Sequence, residues 1–253
     1  MQRNMKLTAK DVALTVCFTA LYAVFCLFPL FKIVGLPSKS ITMAAIIAPI
    51  IGILLGPYLG ALSTFLGGAI GFFAGHFSPL SLVSGIVTAV FAGMLYAGKR
   101  SVCAFMYFSL LFFFGFCPFV GPVWLYFPLM WFQIIGFLIL VSPLQSMALK
   151  DIRNSNNDSR FLLAFSTFCL TSTLAGQIAG SLTFELISWP IFNADINAWT
   201  ASWQLLTWVY PVERMIIALI ATFIGVSLYK VLTSANLMPF INRTKQTRKR
   251  LEC

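Results

Sequence analysis

Charge is what this sequence has least of. Only 9% of its 253 residues are charged, against about 25% in an ordinary soluble domain, so it lacks the polar surface that a water-facing globule needs. Acids are scarcest, with seven Asp and Glu in all, and His76 is the one histidine. Catalysis needs a convergent nucleophile–base or metal constellation, and this inventory argues against an enzyme. The six cysteines (Cys17, Cys26, Cys103, Cys117, Cys169, Cys253) include no CxxC and no cysteine–histidine cluster, which indicates neither a disulfide framework nor a metal site. Five of them sit inside apolar runs, where a thiol acts as a small hydrophobe. No GxxxxGK[ST] phosphate loop occurs, so ATP is not hydrolysed by that route. No cofactor is expected.

What the chain has instead is apolar length. Hydrophobic residues make up 59% of it and the mean hydropathy is +0.90. This composition predicts an all-α, polytopic integral membrane protein with one transmembrane domain over residues 1–253. A spanning helix takes about 20 apolar residues, and the runs predict eight spans: 11–31, 41–55, 58–76, 80–98, 102–118, 123–148, 161–187 and 209–232. The first is read as a mature helix and not a signal peptide, because it is long and lacks a small-residue cleavage site.

The 17 Lys and Arg lie mostly in four clusters: Arg3, Lys6 and Lys10; Lys99 and Arg100; Lys150, Arg153 and Arg160; and Lys230 with the tail. By the positive-inside rule these face the cytoplasm. Each interval must then hold an even number of crossings, and the intervals hold four, two and two. The expectation is a multi-pass protein of the cell membrane with both termini cytoplasmic. The basic tail 233–253 is read as an anchor on anionic lipid headgroups, and not as a nucleic-acid site, since no folded basic module accompanies it.

The densest motif is ITMAAIIAPIIGILLGPYLGALSTFLGGAIGFFAGH, residues 41–76. Gly52, Gly56 and Gly60 are spaced by four, as are Gly67, Gly71 and Gly75, a device that lets helix backbones approach closely in lipid. Gly56–Pro57 predicts a tight turn between two short helices.

TALYAVFCLFP, GILLGPYLGAL and FAGMLYAGKR, followed late in the chain by AGQIAGSLTFELI and YPVERMIIALIATFIGVSLYKVL, resemble in their order the substrate-binding S components of energy-coupling factor (ECF) vitamin transporters. The resemblance covers a core of 11–100 and 161–232. S components resemble a six-helix bundle, so residues 101–148 are expected to form an inserted helical hairpin. The resemblance also implies docking of the first helix, through an Ala-x-x-x-Ala face, on a transmembrane coupling protein. The nearest matches here are Ala13-x-x-x-Cys17 and Thr19-x-x-x-Ala23, so Ala13, Thr19, Ala20 and Ala23 are the expected partner-binding residues.

Ionisable side chains inside a span are functional candidates by default, because inserting one costs about 2.5–3.5 kcal/mol. His76, Glu185, Glu213 and Arg214 qualify. Glu213 would suit the first turn of a last helix beginning at Pro211, with no ligand needed. Arg214 is disfavoured at a helix N-terminus, so it either snorkels to headgroups or binds an anion. Gln133 and Gln177 are amides that bridge helices or touch a ligand. Residues 188–208 are expected to be an outer loop or interfacial helix, whose Trp189, Trp199, Trp203 and Trp208 either anchor the interface or stack on a ligand, to which Asn193 or Asp195 would supply edge hydrogen bonds. The expected substrate-binding set is Arg214, Glu213, His76, Trp189, Asn193, Asp195, Trp203 and Gln177.

The resemblance implies a membrane component that captures a vitamin or related micronutrient outside and works with a coupling protein and two ATPase subunits. The alternative is a stand-alone secondary transporter or channel for a small organic solute, although such proteins commonly show an internal repeat and mid-membrane acids.

Overall fold

The computed structural model describes residues 7–33, 36–116, 127–154, 157–188, 196–238 and 240. Their elements are α1 (Ala9–Phe25), β1 (Pro29–Ile33), β2 (Leu36–Thr42), α2 (Ala44–Phe73), α3 (Pro79–Tyr96), α4 (Arg100–Gly115), α5 (Trp131–Val141), α6 (Pro143–Asn154), α7 (Asp158–Ser188) and α8 (Ile196–Ser234). Among the described residues, Ala44–Phe73, Pro79–Tyr96, Asp158–Ile187 and Gln204–Ser234 are long and apolar enough to cross a membrane, and α5 with α6 makes a fifth if the bent pair is one span. The molecule is a helical membrane protein.

The first helix starts at a capping box. Thr8 Oγ1 accepts from the Asp11 amide at 3.3 Å, and Asp11 Oδ2 accepts from the Thr8 amide at 2.8 Å, so orphan donors at the helix start are satisfied reciprocally. The glycine motif works through close approach. Gly56 has φ +83°, a conformation open to glycine and strained for other residues. Around it α2 doubles back: a Cβ on Gly60 would sit 3.2 Å from the Cα of Gly52, whereas a continuous helix would separate these two by about 12 Å. The arms 44–55 and 57–73 therefore lie side by side. Gly52 rests on the Ala89 backbone of α3, and Gly93 of α3 rests on Gly56 and Pro57. The arm 44–55 fills the centre of the molecule, with Ile46, Ile47, Ile50, Ile51 and Ile53 all buried.

Three expectations are corrected. The segment left between the expected spans 11–31 and 41–55 belongs to an antiparallel hairpin in which Phe31 pairs with Ile41 and Lys32 with Ser40. The hairpin satisfies backbone donors and acceptors that would otherwise need water, and it adds a β element to a fold read as all-α. The single span at 123–148 is broken, with α5 and α6 meeting at 63°. Ser142, which precedes Pro143, takes an extended φ/ψ of −76°/163°, as a following proline demands. Arg100 caps the break, donating through Nε to the Leu140 carbonyl at 2.8 Å and through a second nitrogen to that of Val141.

The last helix does not begin at Pro211. The helix begins at Ile196 and runs through Pro211. A proline inside a helix leaves the carbonyl four residues earlier without its donor, and here that carbonyl, Thr207 O, accepts from Trp131 Nε1 at 3.2 Å.

The chain gathers most of its described basic residues, though not Lys32 or Arg214, at one pole. Lys10 Nζ donates to the Asn236 carbonyl at 3.3 Å, and Lys230 Nζ meets Asp158 Oδ1 at 2.7 Å. Arg153 donates to the Tyr96 carbonyl and lies over the Tyr96 ring, whose hydroxyl meets that of Tyr229 at 3.0 Å. The turn at Gly56 packs on Phe240 beside them. At the far pole lie the β-hairpin, the start of α3, the end of α7 and the first part of α8.

Candidate ligand-binding cavity

Polar residues at helical spacing build one cavity at the far pole. Thr173, Gln177 and Ser181 recur every four residues along apolar α7, so they share one face. Ser81, Ser84 and Thr88, three and four residues apart, share a face of α3, and Leu206, Tyr210, Glu213 and Arg214 line the space from α8. Tyr22 of α1 and Ala45 and Ala48 of α2 complete the walls, and Lys32, Ile33, Ile41 and Thr42 of the hairpin border them. The enclosed space is about 970 Å³, its opening to solvent included. Glycines admit these approaches: a Cβ on Gly85 would strike the Tyr22 hydroxyl, and one on Gly176 would strike Thr88.

The cavity floor carries charge. Glu213 and Arg214 are 5% and 6% exposed, and Gln177 is 4% exposed. Arg214 and Glu213 are 3.8 Å apart at their closest ion-pair atoms. Arg214 Nε, Glu213 Oε2 and Gln177 Nε2 have no hydrogen-bond partner among the described residues. The other end of the Gln177 amide is engaged, its Oε1 accepting from Gln133 Nε2 at 3.4 Å. Gln133 belongs to α5, and its carbonyl accepts from the Tyr107 hydroxyl of α4 at 2.9 Å, so α4 and α5 buttress the cavity wall. Tyr210 shares a hydrogen bond with Ser181 and lies in the field of Arg214, Glu213 and Glu185. Glu185 is fully buried on α7, one turn beyond Ser181.

Of the expected substrate-binding residues, Arg214, Glu213 and Gln177 come together here. His76 does not line the cavity; it is exposed just past the end of α2. Trp203 falls within α8, and its side chain lies outside the described residues, as do Trp189, Asn193 and Asp195 entirely. Trp208 points outward, 72% exposed, against Trp131. Glu213 sits well inside α8, so a role in a helix first turn does not apply: the helix passes through Pro211 with Trp131 as substitute donor. For the same reason Arg214 is not a cation at a helix N-terminus.

The partner-binding set divides between two faces of α1. Ala13 and Ala20 are exposed, beside Val16 and Val24. Thr19 and Ala23 are engaged within the chain: Thr19 Oγ1 donates to Ser63 Oγ at 3.2 Å, and a Cβ on Gly67 would lie 2.7 Å from Thr19 O and 3.2 Å from Ala23 N.

Sequence reasoning missed Tyr22, Lys32, the serines and threonine of α3, Thr173, Ser181 and Tyr210. Part of this was visible as spacing, since Thr173, Gln177, Ser181 and Glu185 form a four-residue polar repeat in an apolar run. No group of three or more His, Cys, Asp or Glu able to hold a metal occurs among the described residues. Comparison of the chain with protein-family models, curated proteins and solved structures finds no match in any of the three.

Proposed function

We propose that this chain is the substrate-capture component of an ECF-type importer, holding a vitamin-like solute in the far-pole cavity on the outer side of the cell membrane. One observation carries the capture reading: Arg214, Glu213 and Gln177, each more than nine-tenths buried, keep a hydrogen-bonding atom without a hydrogen-bond partner among the described residues, inside one cavity. Buried polar groups are otherwise paired as a rule, so these atoms fit a ligand's polar groups. Small-molecule sites have mostly apolar walls with a few placed polar groups, and this cavity has that character.

The coupling half rests on the resemblance of 11–100 and 161–232 to S components and on the lack of a phosphate loop. In this reading the chain crosses eight times with both termini in the cytoplasm. The reversal at Gly56 supplies two of the crossings, and α4 with α5 forms the inserted pair. The gathering of Lys10, Arg100, Arg153 and Lys230 at one pole supports it, because the positive-inside rule puts that pole in the cytoplasm. The solute enters under the 29–42 hairpin, Arg214 grips an acidic group with two parallel hydrogen bonds, and the outer face of α1 around Ala13 and Ala20 meets the coupling protein. Two ATPase subunits then supply the energy.

The test is to purify the chain gently from its membrane, identify the small molecule it retains, and measure uptake of that molecule in cells with and without ECF ATPases. Retention together with ATPase-dependent uptake is expected. Uptake that persists without every ECF ATPase would mean a stand-alone secondary transporter or channel.

A further inference from the structure

Glu213 and Arg214 are sequence neighbours, both buried and both lining the cavity. Opposite charges in that setting usually satisfy one another. Here their closest ion-pair approach is 3.8 Å, beyond hydrogen-bond reach, because adjacent residues leave a helix about 100° apart. Each therefore retains an atom without a hydrogen-bond partner among the described residues, Arg214 Nε and Glu213 Oε2. A buried charge is expensive unless it is both paired and hydrogen-bonded.

A ligand with one charge would serve one of these groups and leave the other bare, while repelling it. A neutral apolar ligand would leave both. The rest of the cavity repeats the duality. On the donor side is Gln177 Nε2, also without a partner. On the acceptor side Pro49, inside α2, has no N–H to return to the carbonyl of Ala45, and Ala45 lines the cavity. Lys32 borders the cavity at the hairpin.

Resting on the capture reading, we propose that the solute is a zwitterion, with a carboxylate-type anion bound by Arg214 and an N–H-bearing cation bound by Glu213. Because the two side chains are neighbours, the two ligand charges lie only a few atoms apart. The apolar wall of Ile33, Phe77, Leu80 and Phe184 takes the remainder of the molecule.

The test uses the full chain in lipid nanodiscs. A small-molecule extract of the producing cells is split by ion exchange into anionic, cationic, zwitterionic and uncharged fractions, and each is assayed for thermal stabilisation of the protein. Stabilisation by the zwitterionic fraction alone is expected, with apparent affinity weakened about tenfold or more by Arg214→Ala and by the isosteric Glu213→Gln. Stabilisation by any other fraction instead overturns the zwitterion and leaves capture standing. Unchanged affinity in Glu213→Gln also overturns it. No stabilisation by any fraction, in protein that melts cooperatively, overturns capture itself. Should either variant fail to fold, the fractions on the unaltered chain decide.

Discussion

Trp131 does at the residue scale what no local pattern foretold. Its indole N–H serves the Thr207 carbonyl that Pro211 cannot reach, so Trp131→Phe should remove that hydrogen bond. The expected loss is about 1–3 kcal/mol, read as a lower melting temperature. Pro211→Ala in that background restores the helical N–H and should recover most of it. Failure of the rescue would assign the loss to ring packing. Arg214 carries the second prediction: Arg214→Lys should weaken binding of the retained solute and Arg214→Ala should weaken it further, because lysine keeps the charge but not the two-pronged geometry. Equal affinity in all three proteins, measured calorimetrically, would show that the guanidinium does not touch ligand. Arg214 and Gln177 were legible as candidates because ionisable and amide groups stand out in an apolar run. Tyr22 and Tyr210 were not, since aromatics are ordinary everywhere in a membrane domain.

Elements show how proline and glycine are used. Gly56→Ala would place a Cβ at φ +83°, within 2.6 Å of the Phe240 ring. The conformation alone costs about 1–2 kcal/mol, so a clear fall in melting temperature is expected, and Phe240→Ala should recover only the part due to the clash. Full recovery would show that φ is not strained there. Helix α1 carries a different prediction, because its two faces do different work. Ala20→Trp lies on the exposed face and should abolish co-purification of ECF ATPases while sparing solute binding. Ala23→Trp, beside Gly67, should lower stability instead. Equal behaviour of the two would remove the distinction. The turn at Gly56–Pro57 was legible because two breakers adjoin. The start of α8 was not: propensity rules place Pro211 at a boundary, and only a donor from α5, distant in sequence, lets the helix continue.

The whole molecule sorts its charge by pole, and the proposed orientation can be tested there. In a background with the native cysteines replaced, His76→Cys at the cavity pole should react with an impermeant maleimide added outside intact cells, and Lys99→Cys at the basic pole should not. Both positions are exposed. Labelling of Lys99→Cys from outside would reverse the orientation and put the cavity on the cytoplasmic side. The clusters of Lys and Arg were legible at this scale because topology depends on charge along the chain, which the sequence states outright.

The sequence by itself determined that this is a helical membrane protein, where its break at Gly56 falls, and which residues are too polar to be mere lipid-facing surface. Those properties follow from composition and local backbone chemistry, for which neighbours along the chain suffice. Only the tertiary structure decided that α3, α7 and α8 turn their polar faces onto one space, that Thr19 and Ala23 are engaged inside the chain, and that Glu213 and Arg214 stay imperfectly paired. These depend on contacts between residues far apart in sequence, such as Tyr22 at Gly85 or Gln133 at Gln177, and a helical period gives the face of each helix without saying which face it meets.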